Sequence, residues 1–155
     1  MERTLVILKP GTIQRRLIGE IINRFEKKGL ILAGMKMIWL SDKILSEHYA
    51  HLREKPFFQR VKNSMNVCPV IVCCWEGLDA VSVVRTITGA TNGRLAPPGT
   101  IRGDYSMSIQ ENIIHASDSL ETASVELKRF FNDDELFNYE TILKLSLYAN
   151  NELDS

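Results

Sequence analysis

The chain has 155 residues, 45% of them apolar, and nineteen Lys and Arg balance nineteen Asp and Glu, leaving no net formal charge. Such a length hides roughly 70% of the unfolded surface on folding, so one domain over residues 1–155 is expected, and the balanced charge recommends neither nucleic acid nor an anionic membrane as partner. Cys68, Cys73 and Cys74 are an odd set in or beside an apolar run and read as free thiols of a reducing, cytoplasmic compartment, while no secretory leader and no apolar stretch of membrane-spanning length is evident.

Residues 3–9 are rich in branched side chains and are stopped by Pro10 and Gly11, predicting a central strand with Lys9 at its carboxyl end. Leu17, Ile18, Ile21, Ile22 and Phe25 recur at helical spacing, and Lys28 with Gly29 supplies a basic last turn and a stop. A second strand is predicted over 30–40, ended by Ser41 and Asp42. Ile44, Leu45, His48, Tyr49 and Leu52 then mark a helical stripe, and a short helix over 57–65 follows Pro56. The strongest strand signal lies over 69–75. Ala80, Val83, Val84 and Ile87 give a helical pattern that closes at Gly89.

Periodicity is lost over 89–111, where Gly93, Pro97, Pro98, Gly99 and Gly103 predict a long loop. Loops beyond about 15 residues are usually functional or disordered. Leu95, Ile101, Tyr105, Met107 and Ile109 give this one apolar anchors and argue against disorder. A last short strand is predicted over 112–117. Asp118 and Glu121 have the form of a capping box opening a helix whose apolar face is Leu120, Ala123, Leu127, Phe130 and Phe131. Two strand–helix–strand units in series, without repeat or linker, predict an α+β fold: a ferredoxin-like α/β sandwich, with helices on one face of an antiparallel sheet. A parallel α/β sheet is the alternative.

Neither a P-loop nor a G-x-G-x-x-G is present, and the protein-kinase signatures are missing. Phosphate chemistry would then need side-chain cations and a metal in place of backbone amides. Lys9, Arg85 and Arg102 are candidates, although each alone reads more readily as a solvated surface charge. His115 stands out because Ile113, Ile114 and Ala116 surround it just ahead of a helix start. An imidazole there is a structural group bonded to a carbonyl, a nucleophile, a general base or a metal ligand. Metal ligation is the poorer functional reading: His48, His51 and His115 form no H-E-x-x-H, and His48 and His51 are expected to pack on their helix. A nucleophile needs one ring nitrogen free and the other held by an acceptor. Glu126, at the margin of the following helix's apolar stripe, is the candidate acceptor, its alternative being an exposed helix face.

Asn112, Ile113, Ile114, His115, Ala116, Ser117, Asp118 and Ser119 together resemble the phosphohistidine signature of the nucleoside diphosphate kinases. The likeness extends through Lys9 and Pro10 and through 24–29, 55–58, 89–92 and 98–104. The resemblance implies that His115 takes the terminal phosphate of a nucleoside triphosphate and passes it to a ribo- or deoxynucleoside diphosphate, with ping-pong kinetics. It implies that Lys9, Tyr49, Arg85, Thr91 and Arg102 surround the phosphates, that Phe57 stacks on the base opposite Ile109, and that Lys9 and Asn112 address the sugar. Glu126 would orient His115, with Ser117 beside it. Mg2+ would be held mainly by the substrate phosphates, and the chain would form a homo-oligomer, a hexamer or tetramer. The sequence departs from the family pattern at Gly11, Thr12, His51, Gly93, Arg94, Gln110, Glu111 and Ala116. Those at Gly11, Thr12 and Ala116 motivate the alternative of a catalytically weak relative acting as an assembly module, and the use of ferredoxin-like sandwiches in RNA recognition motivates that of a nucleic-acid-binding module.

Overall fold

Val6 and Leu8 face one side of strand β1 (Glu2–Leu8) and Leu5 and Ile7 the other, and all four are fully buried. A sheet built around such a strand needs cover on both faces. In the computed structural model, which describes residues 1–153, β1 is followed by α1 (Pro10–Gln14), α2 (Ile18–Lys28), β2 (Ile31–Ile38) and α3 (Asp42–His48). A 3-10 turn (Ala50–Leu52), α4 (Phe58–Met65), β3 (Val70–Gly77), α5 (Ala80–Thr88) and α6 (Ile101–Tyr105) come next. The chain continues through β4 (Ile114–Ala116), α7 (Leu120–Phe130), a 3-10 turn (Asp133–Glu135), α8 (Lys144–Leu147) and α9 (Asn150–Leu153). The last two residues of the predicted 1–155 domain, Asp154 and Ser155, lie outside the described residues.

The four strands pair in the order β2-β3-β1-β4, every pair antiparallel, which is the ferredoxin-like sandwich and excludes the parallel alternative. One core packs Val6, Leu8, Cys73 and Trp75 against Ile21 and Phe25 of α2 and Val84 of α5. The other packs Leu5, Ile7, Val72 and Cys74 against Leu45 of α3, Val61 of α4 and Leu127 and Phe130 of α7. Helices therefore cover both faces, correcting the one-face expectation. The reason lies in β1 and β3, whose inner residues are apolar on alternate sides and leave no face for water. Trp75 and Phe25 anchor the first core with ring centroids 5.2 Å apart.

Local signals set the ends of the elements. Left-handed Gly29, with φ of 99°, turns its own N–H and that of Leu30 back to the carbonyls of Glu26 and Phe25, ending α2. The predicted turn after Lys9 is instead a short helix with Pro10 at its first position, where its missing N–H costs nothing. The loop over 89–111 contains α6, started by Thr100, whose hydroxyl accepts from the Gly103 N–H at 3.0 Å. Arg24 of α2 fixes this loop by donating to Asp104 Oδ2 at 2.6 Å and to the Gly99 carbonyl at 3.0 Å. Ser119, and not Asp118, caps α7 by accepting from the Thr122 N–H at 3.0 Å. That shift of one residue places Leu120 in the exposed first turn, 54% accessible, instead of on the apolar face.

Candidate active site

Residues 112–117 are set by an unusual backbone turn. Ile113 has φ of 62°, a left-handed conformation that costs a β-branched residue about 1–3 kcal/mol. Its carbonyl accepts from the Lys9 N–H at 2.9 Å and from the buried Thr12 hydroxyl at 2.5 Å, and these bonds hold the turn. Thr12 thus ties α1 to the residue that opens β4. From there β4 pairs with the end of β1, with His115 opposite Ile7.

His115 keeps a quarter of its side chain exposed and places Nε2 at 3.0 and 3.1 Å from the two oxygens of Glu126. That anchoring leaves Nδ1 as the nitrogen available to the cleft. Glu126 is buried, more deeply than its place at the margin of the stripe suggests. Burial alone would raise its carboxyl, but hydrogen bonds from His115 and from the Ser117 hydroxyl (2.5 Å) outweigh it and hold the group below its ordinary value. Glu126 is therefore a fixed anion behind the imidazole.

His48 does pack on its helix, but it also packs edge-on against His115 with centroids 4.7 Å apart, and its Nδ1 lies 3.7 Å from Glu126. Burial first, then the proximity of His115, Arg129 and His51, depresses it to about 3 against the pull of Glu126, so it stays neutral. His48, His115 and Glu126 could geometrically surround a cation, their donor atoms lying within 4.8 Å of one another. Arg129 Nη1, 3.3 Å from His48 Nδ1, puts a positive guanidinium against that lone pair. A hard oxygen-seeking ion finds no cage there.

The cations come from three elements. Lys9, at the end of β1, donates to Asn112 Oδ1 at 2.6 Å and to the Gln110 carbonyl at 3.3 Å. Burial and the nearby Arg102 lower it to about 8, with Glu111 opposing. Arg85 of α5 reaches the Ala116 carbonyl at 3.4 Å. Arg102 of α6 is buried and donates to the carbonyls of Asn112, Gly89 and Ile114 at 3.4, 3.0 and 2.7 Å. Burial, then Arg85, lowers it to about 10. Asn112 completes the lattice by donating to the carbonyls of Thr91 and Ile109 at 3.0 and 2.7 Å.

These groups open onto one cleft of about 690 Å3 lined by Lys9, Tyr49, Arg85, Thr91, Arg102, Asn112, His115 and Glu126. Burial raises the Tyr49 phenol, which stays a hydrogen-bond donor. A second, more apolar slot of about 540 Å3 shares Lys9, Tyr49, Thr91 and Asn112 and adds Phe57 and Ile109. The fold thus gathers the predicted residues in two joined spaces, and Ser117, which lines neither, reaches them through Glu126. Sequence reasoning missed the place of His48 beside His115, and it missed Arg129 and Thr12. The one available signal was that His48 is adjacent to Tyr49.

An imidazole anchored at one nitrogen, facing fixed cations in a cleft beside a slot for a flat apolar group, has the chemistry of a phosphotransferase. Residues 2–136 match the family described as nucleoside diphosphate kinase. The chain is 76% identical over 152 residues to a nucleoside diphosphate kinase of Parabacteroides distasonis, covering 98% of this chain and 99% of that one. It is 52% identical over 141 residues to that of Pyrococcus abyssi, covering 89% of each. Among solved structures it is similar to the Halobacterium salinarum nucleoside diphosphate kinase in complex with CDP, at a TM-score of 0.93 and 41% identity over 96% of this chain and 99% of that one. The chain belongs to the nucleoside diphosphate kinase family. It is an enzyme acting on nucleotides, in a family that generally requires a divalent cation.

Proposed function

We propose that His115 carries the phosphate between nucleotides, and that the residues around it divide the work as follows. Nδ1 attacks the terminal phosphorus of a nucleoside triphosphate, the bond from that phosphorus to the bridging oxygen breaks, and the diphosphate leaves with the electron pair. Nε2 keeps its proton and donates a hydrogen bond to Glu126, whose charge stabilises the cationic ring as the N–P bond forms. A second diphosphate then attacks the phosphohistidine and reverses the sequence. Lys9, Tyr49, Arg85, Thr91 and Arg102 hold the phosphates, and Lys9 and Asn112 meet the sugar. Phe57 and Ile109, 37% and 54% exposed, sandwich the base, and stacking without edge contacts tolerates any base. Mg2+ would be held by the substrate phosphates and would supply charge neutralisation there, since the buried carboxylate of the site, Glu126, is committed to His115 and Ser117.

The observation carrying this reading is the Glu126–His115 pair set among Lys9, Arg85 and Arg102 in one cleft. Incubation with γ-labelled nucleoside triphosphate and magnesium should give an acid-labile, alkali-stable phosphoprotein, lost in His115→Ala. Equal labelling of that variant would refute the assignment. The weak-relative alternative is not favoured, since every residue assigned to chemistry is retained. Treatment of 1–155 as one domain is supported by a single sheet shared between both cores. Assembly into a hexamer or tetramer is supported by the edge strand β2, where Met35 and Met37 stand exposed, and is read by light scattering. A cytoplasmic location is supported by the free thiols, of which Cys73 and Cys74 are buried; among the described residues no helix is long and apolar enough to cross a membrane.

A further inference from the structure

Gly11 and Thr12 line neither the His115 cleft nor the apolar slot, yet both of these departures from the family pattern meet Ile113. A Cβ on Gly11 would stand 3.6 Å from Ile113 Cγ2, so α1 lies against that side chain. Thr12 is fully buried, and its hydroxyl donates to the Ile113 carbonyl. Its backbone N–H donates to the Lys9 carbonyl at 2.9 Å, which makes one unit of Lys9 and Thr12. That unit grips the neighbouring segment through the Thr12 hydroxyl and the Lys9 N–H on Ile113, and through Lys9 Nζ on Asn112 Oδ1. What it grips is a γ-turn of the rare, strained hand: the Ile114 N–H donates to the Asn112 carbonyl at 2.8 Å across Ile113, whose φ is positive. Arg102 holds the two outer carbonyls of the turn, and Thr12 and Lys9 hold the central one.

We propose that Thr12 is a positioning residue for phosphate transfer: its hydroxyl holds the γ-turn that sets the offset between Asn112 and His115. This inference rests on the phosphohistidine and on the sugar contact of Asn112 proposed above. A bound nucleotide spans those two residues, with its sugar on one and its terminal phosphorus on the other. The turn between them therefore decides whether Nδ1 lies in line with the breaking bond. Without the hydroxyl the Ile113 carbonyl still accepts from the Lys9 N–H, and the turn relaxes instead of unfolding. Sugar and phosphate each keep their own contacts, but the spacing between them is no longer fixed. Thr12 thus acts on the rate of transfer and not on nucleotide affinity.

Thr12→Val keeps the shape of the side chain and removes only the donor, whereas Thr12→Ser keeps the donor. Labelling of His115 in a single turnover, at saturating γ-labelled nucleoside triphosphate with magnesium, should slow about 10- to 30-fold in Thr12→Val. The nucleotide dissociation constant should stay within about threefold, and Thr12→Ser should come within about threefold of the wild-type rate. Labelled phosphoramidate passes its phosphoryl group to Nδ1 with loss of ammonia and has no sugar to align. It should label Thr12→Val and wild type at rates within about twofold of each other. A wild-type rate from triphosphate in Thr12→Val, an equal loss with both donors, a rate loss matched by weaker binding, or Thr12→Ser as slow as Thr12→Val overturns the positioning role alone. Failure of the triphosphate to label His115 in the wild type overturns the phosphohistidine assignment, and this inference with it.

Discussion

Glu126→Gln removes one negative charge while keeping the size and one oxygen acceptor of the side chain. The nearer carboxylate oxygen is 3.0 Å from His115 Nε2. At an effective dielectric of about 20, a full positive charge on the ring at that distance is stabilised by about 5.5 kcal/mol. A ring that has gained about half its charge at the transition state loses about half of that, roughly 2.8 kcal/mol, which slows phosphoenzyme formation about 100-fold. Rapid-quench measurement of that step is the assay. Nucleotide dissociation constants should change by no more than about threefold, because Glu126 bonds to His115 and Ser117 and, among the described residues, not to Lys9, Arg85 or Arg102. A folded Glu126→Gln protein slowed less than about fivefold would show that the carboxylate does not stabilise the charged imidazole.

His48, shifted from 6.5 to about 3 by burial, supplies a stability test. Between those values the unfolded chain binds a proton that the folded chain refuses, so stability is lost as pH drops through the window, by on the order of 4 kcal/mol. In His48→Phe the urea midpoint should vary less between pH 7 and pH 4, and an unchanged slope would sink the assignment. Lys9, lowered to about 8, loses its charge as pH rises through that value. The KM for nucleotide should therefore rise several-fold between pH 7 and pH 9, and Lys9→Arg, charged throughout, should lack the step. A flat wild-type profile would remove Lys9 from the phosphate-binding set.

Much of this architecture could be read from side-chain periodicity alone. The branched run before Pro10, the amphipathic face of α2 around Ile21 and Phe25, and the apolar run of β3 each carry a repeat that tertiary contacts reinforce. What escaped has a physical cause in each instance. α1 and α6 are five residues long, too short for a hydrophobic repeat, and only Pro10 at a first helical position and Thr100 at a cap announce them. Asp118 and Ser119 are both good caps, and the choice fell to the residue whose hydroxyl meets the Thr122 N–H. Cover on both faces of the sheet was implicit in five consecutive buried residues of β1 but is ambiguous without knowing where the helices return. The roles expected of the eleven site residues came from family resemblance, since spacing alone left His115 open among four roles. The position of His48 depends on α3 bringing its ring to within 4.7 Å of that of His115 in β4, a long-range fact that no local pattern encodes.

Arg102 has a double employment. Its guanidinium laces together the carbonyls of Gly89, Asn112 and Ile114, so the ends of the long connection are stitched by a group that also lines the His115 cleft. At Gly89, with φ of 85°, any side chain would run into Thr100, which keeps that stitch tight. Charge and closure are thereby one variable: a connection that comes loose is also a site discharged. Inactivation by mild denaturant should then follow the unlacing of this segment, well before the two cores let go of the sheet.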